Sequence, residues 1–355
     1  MSPPRVLVVG ATGAFGERLA AGLARSGFAL ILAARGGARL AALRERLAPA
    51  GADVATLAID QADLDAARLA ALKGDHPGLF AIADAAGPFQ GRSPSLPRAA
   101  IAAGLHCVDL ADARDYVLGI RALDASAREA GVAILSGASS TPALSHAVLD
   151  RLTGEAEEIH SVAVAIAPGN RAPRGLSLVE AILTWAGRPV RVFRGGRWVE
   201  APGWGRAERV EIDGLGPRRL SLCETADLDL LVERYRPTGD ALFRAGLELG
   251  ILHGGLTALS SLVRLGLVRS LRVLAGPLKH AADLFLPFGT DRGGMRVEAV
   301  TRDRDGTLRR SVWTLVADAG DGPQVPPLPA LAALKMLASG ELAFRGAAPC
   351  GGLIP

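Results

Sequence analysis

Three glycines stand at intervals of three in the segment VVGATGAFGE, directly after a run of aliphatic residues. Gly10 permits a tight turn, Gly13 lets the backbone approach a pyrophosphate, and Gly16 lets a helix pack closely on the preceding strand. Phosphates would then lie at the helix N-terminus, where free N–H groups and the helix dipole favour negative charge. The spacing predicts a dinucleotide site, and the alternative is a glycine-rich turn in an α/β fold that binds no ligand. The loop residues between the glycines are further contact candidates: Thr12, Ala14 and Phe15.

The end of the second aliphatic run distinguishes NADP from NAD. In NAD-binding loops an acidic residue at this place accepts hydrogen bonds from the ribose 2′-OH, and its charge repels a 2′-phosphate. This chain has Arg35 there, followed by two glycines, and the next acid is Glu45. A guanidinium pairs with phosphate and stacks on adenine, so the sequence predicts NADP, with NAD less favoured and a solvated arginine as the alternative. After the third run, Asp60 is predicted either to contact the adenine amino group or to cap the following helix.

A loop of small residues and proline, AAGPFQGRSP, follows the fourth aliphatic run. In open α/β sheets, ligands bind at the carboxyl ends of the strands, near the point where the strand order reverses. A backbone of this composition can pass close to a cofactor, so we predict four contact residues here, with a plain turn as the alternative. These residues are Ala86, Gly87, Pro88 and Phe89.

Residues for proton transfer are scarce in this chain. The short-chain dehydrogenases need a tyrosine with a lysine four residues later, but isoleucine follows Tyr116 at that spacing and glycine follows Tyr235. The six histidines form no HxH or HExxH group, no cysteine pair joins them, and no GxSxG is present. Neither a metal site nor a serine hydrolase is therefore predicted. Hydride transfer without a tyrosine–lysine pair is easiest when the acceptor is already electrophilic, as a protonated imine is.

Two residues are candidates for a catalytic role. Asp109 is predicted at the end of the fifth strand, and His146 in the helix after the sixth. For Asp109 the alternative is a capping role or a structural salt bridge, and for His146 it is packing within the helix. Other polar groups near the predicted strand ends are His106, Asp112, Ser139 and Ser140.

The elements that would position these residues alternate along the first 150 residues. Short, continuously apolar runs alternate with segments rich in alanine, leucine, arginine and glutamate, whose apolar residues recur at helical spacing. Continuously apolar strands are typical of a parallel sheet covered on both faces. We predict an α/β protein with a Rossmann-type doubly wound parallel sheet. The six strand-like runs are residues 5–9, 28–34, 53–59, 79–85, 106–110 and 132–136.

The alternation of apolar runs and helical segments ends at about residue 150. Residues 151–324 are predicted to form an inserted α+β domain for substrate binding and dimerisation. Strand-like pieces lie at 190–200, and residues 241–286 are rich in alanine and leucine, which indicates a long helical region. Residues 293–317 predict a hairpin with its turn at Asp305-Gly306. A helix at about 328–338 lies in the tail, and residues 325–355 are predicted to complete the domain of residues 1–150.

Composition excludes several classes of function. The net charge is +4 and the arginines are scattered, so no nucleic-acid partner is predicted. The three cysteines lie far apart and form no CxxC, and the first ten residues contain no long apolar signal core, so a cytoplasmic protein is predicted. Residues 249–263 are uncharged, but a membrane span needs about twenty apolar residues. A buried or interface helix is favoured there, and peripheral membrane contact through 249–272 is the alternative.

Several segments together resemble one family. The chain resembles the saccharopine dehydrogenase-like (saccharopine reductase type) oxidoreductases in five segments and in their order along the sequence. These segments are VLVVGATGAFG, AGPFQ, AIAAGLHCVDL, LDASAREAGVAILSGASSTPALS and AGDGPQVPPLPALAALKMLASGELAFRGAAPC. The resemblance implies NADP(H) as cofactor, a Rossmann domain completed by a C-terminal helix, an inserted α+β substrate domain and a homodimer. It places the glycine loop, Arg35 and the 87–89 loop at the cofactor. Where the family often has an acidic residue after the sixth strand, this chain has Ser139-Ser140-Thr141, so recognition of an α-amino group does not follow.

Three hypotheses follow for function. The first is an NADP-dependent oxidoreductase that transfers a hydride to or from an imine or carbonyl in a small-molecule substrate, bound in a cleft between the domains. The second is an NADP-binding sensor or scaffold without catalysis, because no recognised acid/base pair is present. The third is a membrane-associated lipid or enoyl reductase, which depends on the 249–272 segment.

Overall fold

The computed structural model describes residues 3–154 and 156–355. They form two compact units. The first domain comprises the described residues up to Leu144 together with Pro323–Pro355, and the second comprises those of Ser145–Gly322. The sequence predicts this boundary at residue 150, and the structure has it at Leu144.

The described part of the chain contains fifteen strands. They are β1 (Arg5–Val9), β2 (Ala29–Ala34), β3 (Val54–Ala58), β4 (Leu79–Asp84), β5 (His106–Asp109), β6 (Ala133–Ser136), β7 (Glu158–Ala167), β8 (Pro189–Arg194), β9 (Arg197–Pro202), β10 (Glu208–Ile212), β11 (Gly216–Leu222), β12 (Ala241–Ala245), β13 (Gly293–Arg302), β14 (Leu308–Ala317) and β15 (Gly346–Pro349).

Twelve α-helices lie in the same described residues. They are α1 (Ala14–Arg25), α2 (Gly37–Leu47), α3 (Ala66–Asp75), α4 (Ser95–Ala102), α5 (Arg114–Gly119), α6 (Asp124–Glu129), α7 (Ser145–Thr153), α8 (Leu176–Trp185), α9 (Asp227–Tyr235), α10 (Gly250–Arg264), α11 (Ala275–Asp283) and α12 (Leu328–Ser339). Single turns of 3₁₀ or π helix occur at Ala48–Ala50, Gln61–Asp63, Ile120–Leu123, Ser140–Leu144, Arg272–Leu274, Leu286–Phe288 and Gly322–Gln324.

The first domain is built on a seven-stranded parallel sheet in the order β15-β6-β5-β4-β1-β2-β3. Alternate residues of β1 point to opposite faces, and both faces are covered: Val6 and Val8 belong to one apolar core, Leu7 and Val9 to the other. Burial on both faces explains why the strands are continuously apolar. The prediction of a doubly wound parallel sheet is confirmed, and the C-terminal α12 and β15 complete it.

The second domain contains an eight-stranded mixed sheet. Its main path is β10-β11-β12-β7-β13-β14, and the β8–β9 hairpin joins it through β12. β13 and β14 pair in antiparallel register over ten residues each, from Gly293 opposite Ala317 to Arg302 opposite Leu308. The hairpin predicted for 293–317 is therefore present, with its turn between Arg302 and Leu308.

The prediction of a helical region at 241–286 is wrong for its first five residues. Ala241–Ala245 is a strand that lies between β11 and β7 and pairs with β7 in parallel. Alanine and leucine are good helix formers, but Leu242 and Phe243 are buried between neighbouring strands, and this tertiary pairing overrides the local preference. The rest of the region contains two helices, α10 and α11, separated by residues 265–274.

Helix α10 covers the uncharged segment that the sequence singled out. Its buried residues are His253, Leu256 and Ser260, which lie on one face, while Ile251 is 67% exposed. Among the residues described, no helix combines the length and apolar character that crossing a membrane requires.

Candidate functional site

The glycine loop after β1 fits closely against the loop after β4. Gly10 has a φ of +74°, and a Cβ on it would lie 2.8 Å from the Cα and the backbone nitrogen of Ala86. A Cβ on Gly16 would lie 2.1 Å from the carbonyl oxygen of Gly10, so helix α1 approaches β1 closely only because this residue is glycine.

The N-terminus of α1 is open to a ligand. Gly13 is its N-cap and provides no side-chain hydrogen bond, so the N–H groups of the first turn have no side-chain partner at the cap. Gly13 is exposed, and the predicted contact residues Thr12, Ala14 and Phe15 are each half-buried. Uncapped N–H groups beside a positive helix end constitute an anion site.

Arg35 lies at the carboxyl end of β2 with its side chain 83% exposed. Its Nε is 4.0 Å from Oδ2 of Asp60. Asp60 also accepts a hydrogen bond from the Ala62 N–H at 3.0 Å, so it has the capping role that was one of its two predicted alternatives. Arg39, which was not predicted from the sequence, lies in the first turn of α2 with its guanidinium against the N-cap residue Gly36.

A buried ion pair holds the loop after β4 in shape. Arg92 donates to Oδ2 of Asp84 at 2.5 Å and to the carbonyl oxygen of Ala86 at 2.7 Å. Gln61 also donates to Oδ2 of Asp84, and the other carboxylate oxygen accepts from the Ala86 N–H. Burial raises the pKa of Asp84, and the nearby Arg92 charge opposes that shift. Neither Asp84 nor Arg92 was predicted from the sequence, although Asp84 directly precedes the loop AAGPFQGRSP and Arg92 lies within it.

The Phe89 side chain anchors this loop in the core. Phe89 is 4% exposed, its ring centroid lies 5.2 Å from that of Tyr116, and the Arg92 guanidinium sits 4.8 Å from its centroid. The Gly87-Pro88 peptide bond is cis. Of the four predicted contact residues, Phe89 therefore has its side chain in the core, and only its backbone is available to a ligand.

Asp109 joins the ends of β5 and β6. It is 1% exposed, and its Oδ1 accepts hydrogen bonds from the Ala111 N–H, the Ser136 hydroxyl and the Gly137 N–H at 2.9–3.0 Å. Oδ2 has no hydrogen-bond partner among the described residues. Burial raises the pKa of Asp109 to about 7. This geometry is that of the structural alternative, since the carboxyl is enclosed by its own strand ends.

His146 is also enclosed, in the second domain. It is 1% exposed on α7, its Nε2 lies 3.6 Å from Oδ1 of Asp227, and its ring is 5.4 Å from the Tyr235 ring. The Tyr235 hydroxyl donates to the His146 carbonyl oxygen at 3.0 Å. The structure therefore places the two candidate catalytic residues in different domains, each buried in its own surroundings.

The part of the chain that the structure describes was also searched for metal ligands, disulfides and an accessible tyrosine. No group of three or more histidine, cysteine, aspartate or glutamate residues there is arranged to hold a metal ion. The three cysteines are buried and unbridged. Tyr116 is 5% exposed, and its hydroxyl has no hydrogen-bond partner among the described residues.

The first domain as a whole fits NADP. The backbone cradle at Gly10 and Gly16 leaves no room for a Cβ, the α1 N-terminus is uncapped, and an exposed guanidinium stands at the end of β2 where an acid would favour NAD. Residues Gly10, Gly13 and Arg35 would hold the pyrophosphate and the 2′-phosphate.

Comparison with known proteins identifies this domain. Residues 6–135 match the family described as the saccharopine dehydrogenase NADP binding domain. A comparison with curated protein sequences gave no match.

Several solved oxidoreductase structures also match this chain in part. GenD2 from gentamicin A biosynthesis, in complex with NAD, is 15% identical over 88% of this chain and 73% of its own, with a TM-score of 0.42. A short-chain dehydrogenase from Sphingobium yanoikuyae in complex with NADPH is 22% identical over 38% and 69%, with a TM-score of 0.32. The bulky-bulky ketone specific alcohol dehydrogenase from Comamonas testosteroni is 16% identical over 38% and 72%, with a TM-score of 0.31.

Proposed function

We propose that this chain is an NADP-dependent oxidoreductase that transfers a hydride between NADP and an imine or carbonyl carbon. The match of residues 6–135 to the saccharopine dehydrogenase NADP binding domain supports this proposal. Bound NADPH would supply the hydride from its nicotinamide ring. The chain's own residues bind and orient the dinucleotide and hold the loop that faces the reacting end.

The fit between the glycine loop and the β4 loop is the observation that carries this proposal. Gly10 touches the backbone of Ala86, and Arg92 fixes the same loop through Asp84 and the Ala86 carbonyl. A buried ion pair that satisfies several hydrogen bonds holds one loop conformation, which pre-organises the backbone for a ligand. A loop built only as a turn would not need a half-buried arginine and a buried carboxylate to hold its shape.

The absence of a tyrosine–lysine pair favours one class of hydride acceptor. Neither Tyr116 nor Tyr235 has a lysine four residues later, and both tyrosines are buried. An imine or a polarised carbonyl needs less proton transfer from the protein than an unactivated ketone, because its carbon is already electrophilic. Orientation against the nicotinamide then contributes most of the rate.

The test is an NADPH oxidation assay on the purified chain with two sets of acceptors. The first set consists of imines formed from 2-oxo acids with amines, and the second consists of simple ketones and aldehydes. We expect turnover with the imines or the carbonyls, and a tenfold or greater loss of kcat/KM for NADPH but not for NADH in Arg35→Ala. The matched control is Arg44→Ala, which removes an exposed arginine from the next turns of α2. Absence of NADPH binding would overturn the proposal.

A second candidate function is an NADP-binding sensor or scaffold. The burial of both Asp109 and His146 favours it, because each is 1% exposed and neither reaches solvent. Tight NADPH binding without turnover of either acceptor set, together with a partner protein retained only when NADPH is bound, would support this function. Turnover of any acceptor at an ordinary enzymatic rate would eliminate it.

A further inference from the structure

A groove of about 650 Å³ lies in the second domain, between helix α10 and the β9–β11 region. Its wall contains four arginines, one each from the loop after β9, strand β10, strand β11 and helix α10: Arg206, Arg209, Arg219 and Arg264. No aspartate or glutamate is among its lining residues. The groove therefore carries a concentrated positive charge, whereas the chain as a whole has a net charge of only +4.

These arginines differ from most others in the domain. Arg194 and Arg244 both pair with Glu208, and Arg310 pairs with Glu298. Within the described residues, none of the four groove arginines has a carboxylate within 4.0 Å. All four are exposed, so their charges remain accessible to a ligand.

Two of the groove arginines face each other directly. Arg209 on β10 and Arg219 on β11 are register partners in the antiparallel pair. Like charges placed directly opposite on neighbouring strands are destabilising. An anion between or above the two guanidiniums would offset this repulsion. Burial lowers the pKa of the neighbouring His253, and the Arg219 charge lowers it further.

The floor of the groove is neutral and fixed. His253 is 2% exposed, accepts from the Leu247 N–H at Nδ1, and has its Nε2 3.0 Å from the Ser221 hydroxyl. Because Nδ1 accepts a hydrogen bond, the proton of the neutral ring lies on Nε2 and is directed to Ser221. The positive charge is thus confined to the arginine rim, and the buried floor keeps its shape when a ligand arrives.

We propose that this groove binds a phosphate group. Guanidiniums present planar pairs of N–H donors that match phosphate oxygens, and several of them converging without carboxylates select a multiply charged anion over a single carboxylate. The volume of about 650 Å³ exceeds what one phosphate needs and leaves room for the organic part of a phosphorylated ligand.

The phosphate has two chemical sources, a free organic phosphate or the headgroup of an anionic lipid. Exposed apolar residues follow Arg264 directly, since Leu265 is 66% exposed and Leu267 is 70% exposed. A rim of arginines beside exposed leucines matches the headgroup and acyl boundary of a lipid surface, whereas a free phosphate needs the arginines alone. The two sources are separated by experiment.

The first arm measures thermal stabilisation of the full chain by inorganic pyrophosphate, with NADPH present at saturation so that the first domain does not take up the probe. We expect pyrophosphate to stabilise the wild type, and the apparent dissociation constant to rise about tenfold or more in Arg219→Gln and in Arg206→Gln/Arg264→Gln. Without pyrophosphate, Arg219→Gln should unfold at the wild-type temperature or above it, since a like-charge contact is removed. The matched control is Arg197→Gln, an exposed arginine on β9 outside the groove.

The second arm measures co-sedimentation with vesicles of phosphatidylglycerol and phosphatidylcholine, and with vesicles of phosphatidylcholine alone. Binding to the anionic vesicles that Arg219→Gln loses and Arg197→Gln keeps identifies a lipid headgroup as the source. A pyrophosphate response without vesicle binding identifies a free organic phosphate. Equal pyrophosphate and vesicle binding by the wild type and both groove variants, or no binding of either probe by the wild type, overturns the proposal.

Discussion

Arg92 and Asp84 form a buried ion pair across the loop that follows β4. The Nη2–Oδ2 distance is 2.5 Å, the Asp84 side chain is 1% exposed, and the Arg92 side chain is 16% exposed. The same guanidinium donates to the Ala86 carbonyl oxygen, and the Cα and backbone nitrogen of Ala86 lie beside Gly10. One arginine therefore couples the fold of this loop to the position of the glycine loop.

Replacing Arg92 with leucine should destabilise the first domain strongly. The change leaves the Asp84 carboxylate buried without its charge partner, which costs about 3–5 kcal/mol. Urea unfolding measures the free energy. Arg92→Leu/Asp84→Asn should recover part of the loss, because it also removes the buried charge, and Arg98→Leu on the exposed face of α4 should stay within about 0.5 kcal/mol of the wild type. A loss of equal size in the single and double variants would contradict the ion-pair explanation.

Gly10→Ala should lower both stability and cofactor affinity. A side chain at a φ of +74° costs about 1–2 kcal/mol, and the new Cβ would also collide with the Ala86 backbone at 2.8 Å. We expect NADPH binding, measured by fluorescence titration, to weaken at least tenfold. The control is Gly74→Ala within α3, where a Cβ meets no atom within 4 Å and the helix should become slightly more stable. Unchanged NADPH affinity in Gly10→Ala would contradict the assignment of the cradle.

Arg35→Ala should change cofactor preference rather than fold. The side chain is 83% exposed, so its removal leaves the core intact, but it takes away a guanidinium positioned for a 2′-phosphate. We expect the dissociation constant for NADPH to rise about tenfold, equivalent to about 1.4 kcal/mol, while that for NADH stays constant. Calorimetric titration of both cofactors measures the difference. Parallel weakening of NADPH and NADH would assign Arg35 a different role.

Arg39→Ala tests whether a second cation assists Arg35. Arg39 lies against Gly36 in the first turn of α2 and is exposed. We expect a smaller loss of NADPH affinity than in Arg35→Ala, about threefold, because an additional solvated charge near a phosphate contributes a few tenths to one kcal/mol. The loss should shrink at high salt, since exposed charges are screened. An effect that persists unchanged in high salt would indicate a packing role instead.

Asp109 should make stability depend on pH between about 4 and 7. Its pKa is about 7 in the folded protein and near 4 in the unfolded chain, so the folded state holds a proton that the unfolded state releases. The stabilisation is complete below about pH 4 and is lost as the pH rises to 7. Asp109→Asn should flatten this part of the profile, and Asp75→Asn at the exposed end of α3 should keep it. Unfolding free energies at pH 5 and pH 8 measure the effect, and a difference between wild type and Asp109→Asn that does not vary with pH would refute it.

Local patterns in the sequence were sufficient for the parallel sheet and for the glycine loop. The strands of the first domain are apolar on both faces, so their runs are visible without knowledge of their neighbours. The Asp305-Gly306 turn specified the β13–β14 hairpin in the same local way. The 241–245 strand was mistaken for helix, because its composition favours a helix and only β7 and β11 beside it provide the ladder partners.

The sequence by itself determined the architecture of the first domain and was sufficient to predict NADP as its cofactor, because periodicity, glycine spacing and the residue at the end of β2 are local properties. Only the tertiary structure decided what the polar residues do. Asp84 meets Arg92, Asp109 ties two strand ends, and Arg209 lies opposite Arg219 through contacts that depend on how distant segments pack. The energy of a charged group depends on its burial and on its distance from other charges, and the sequence pattern does not contain these quantities.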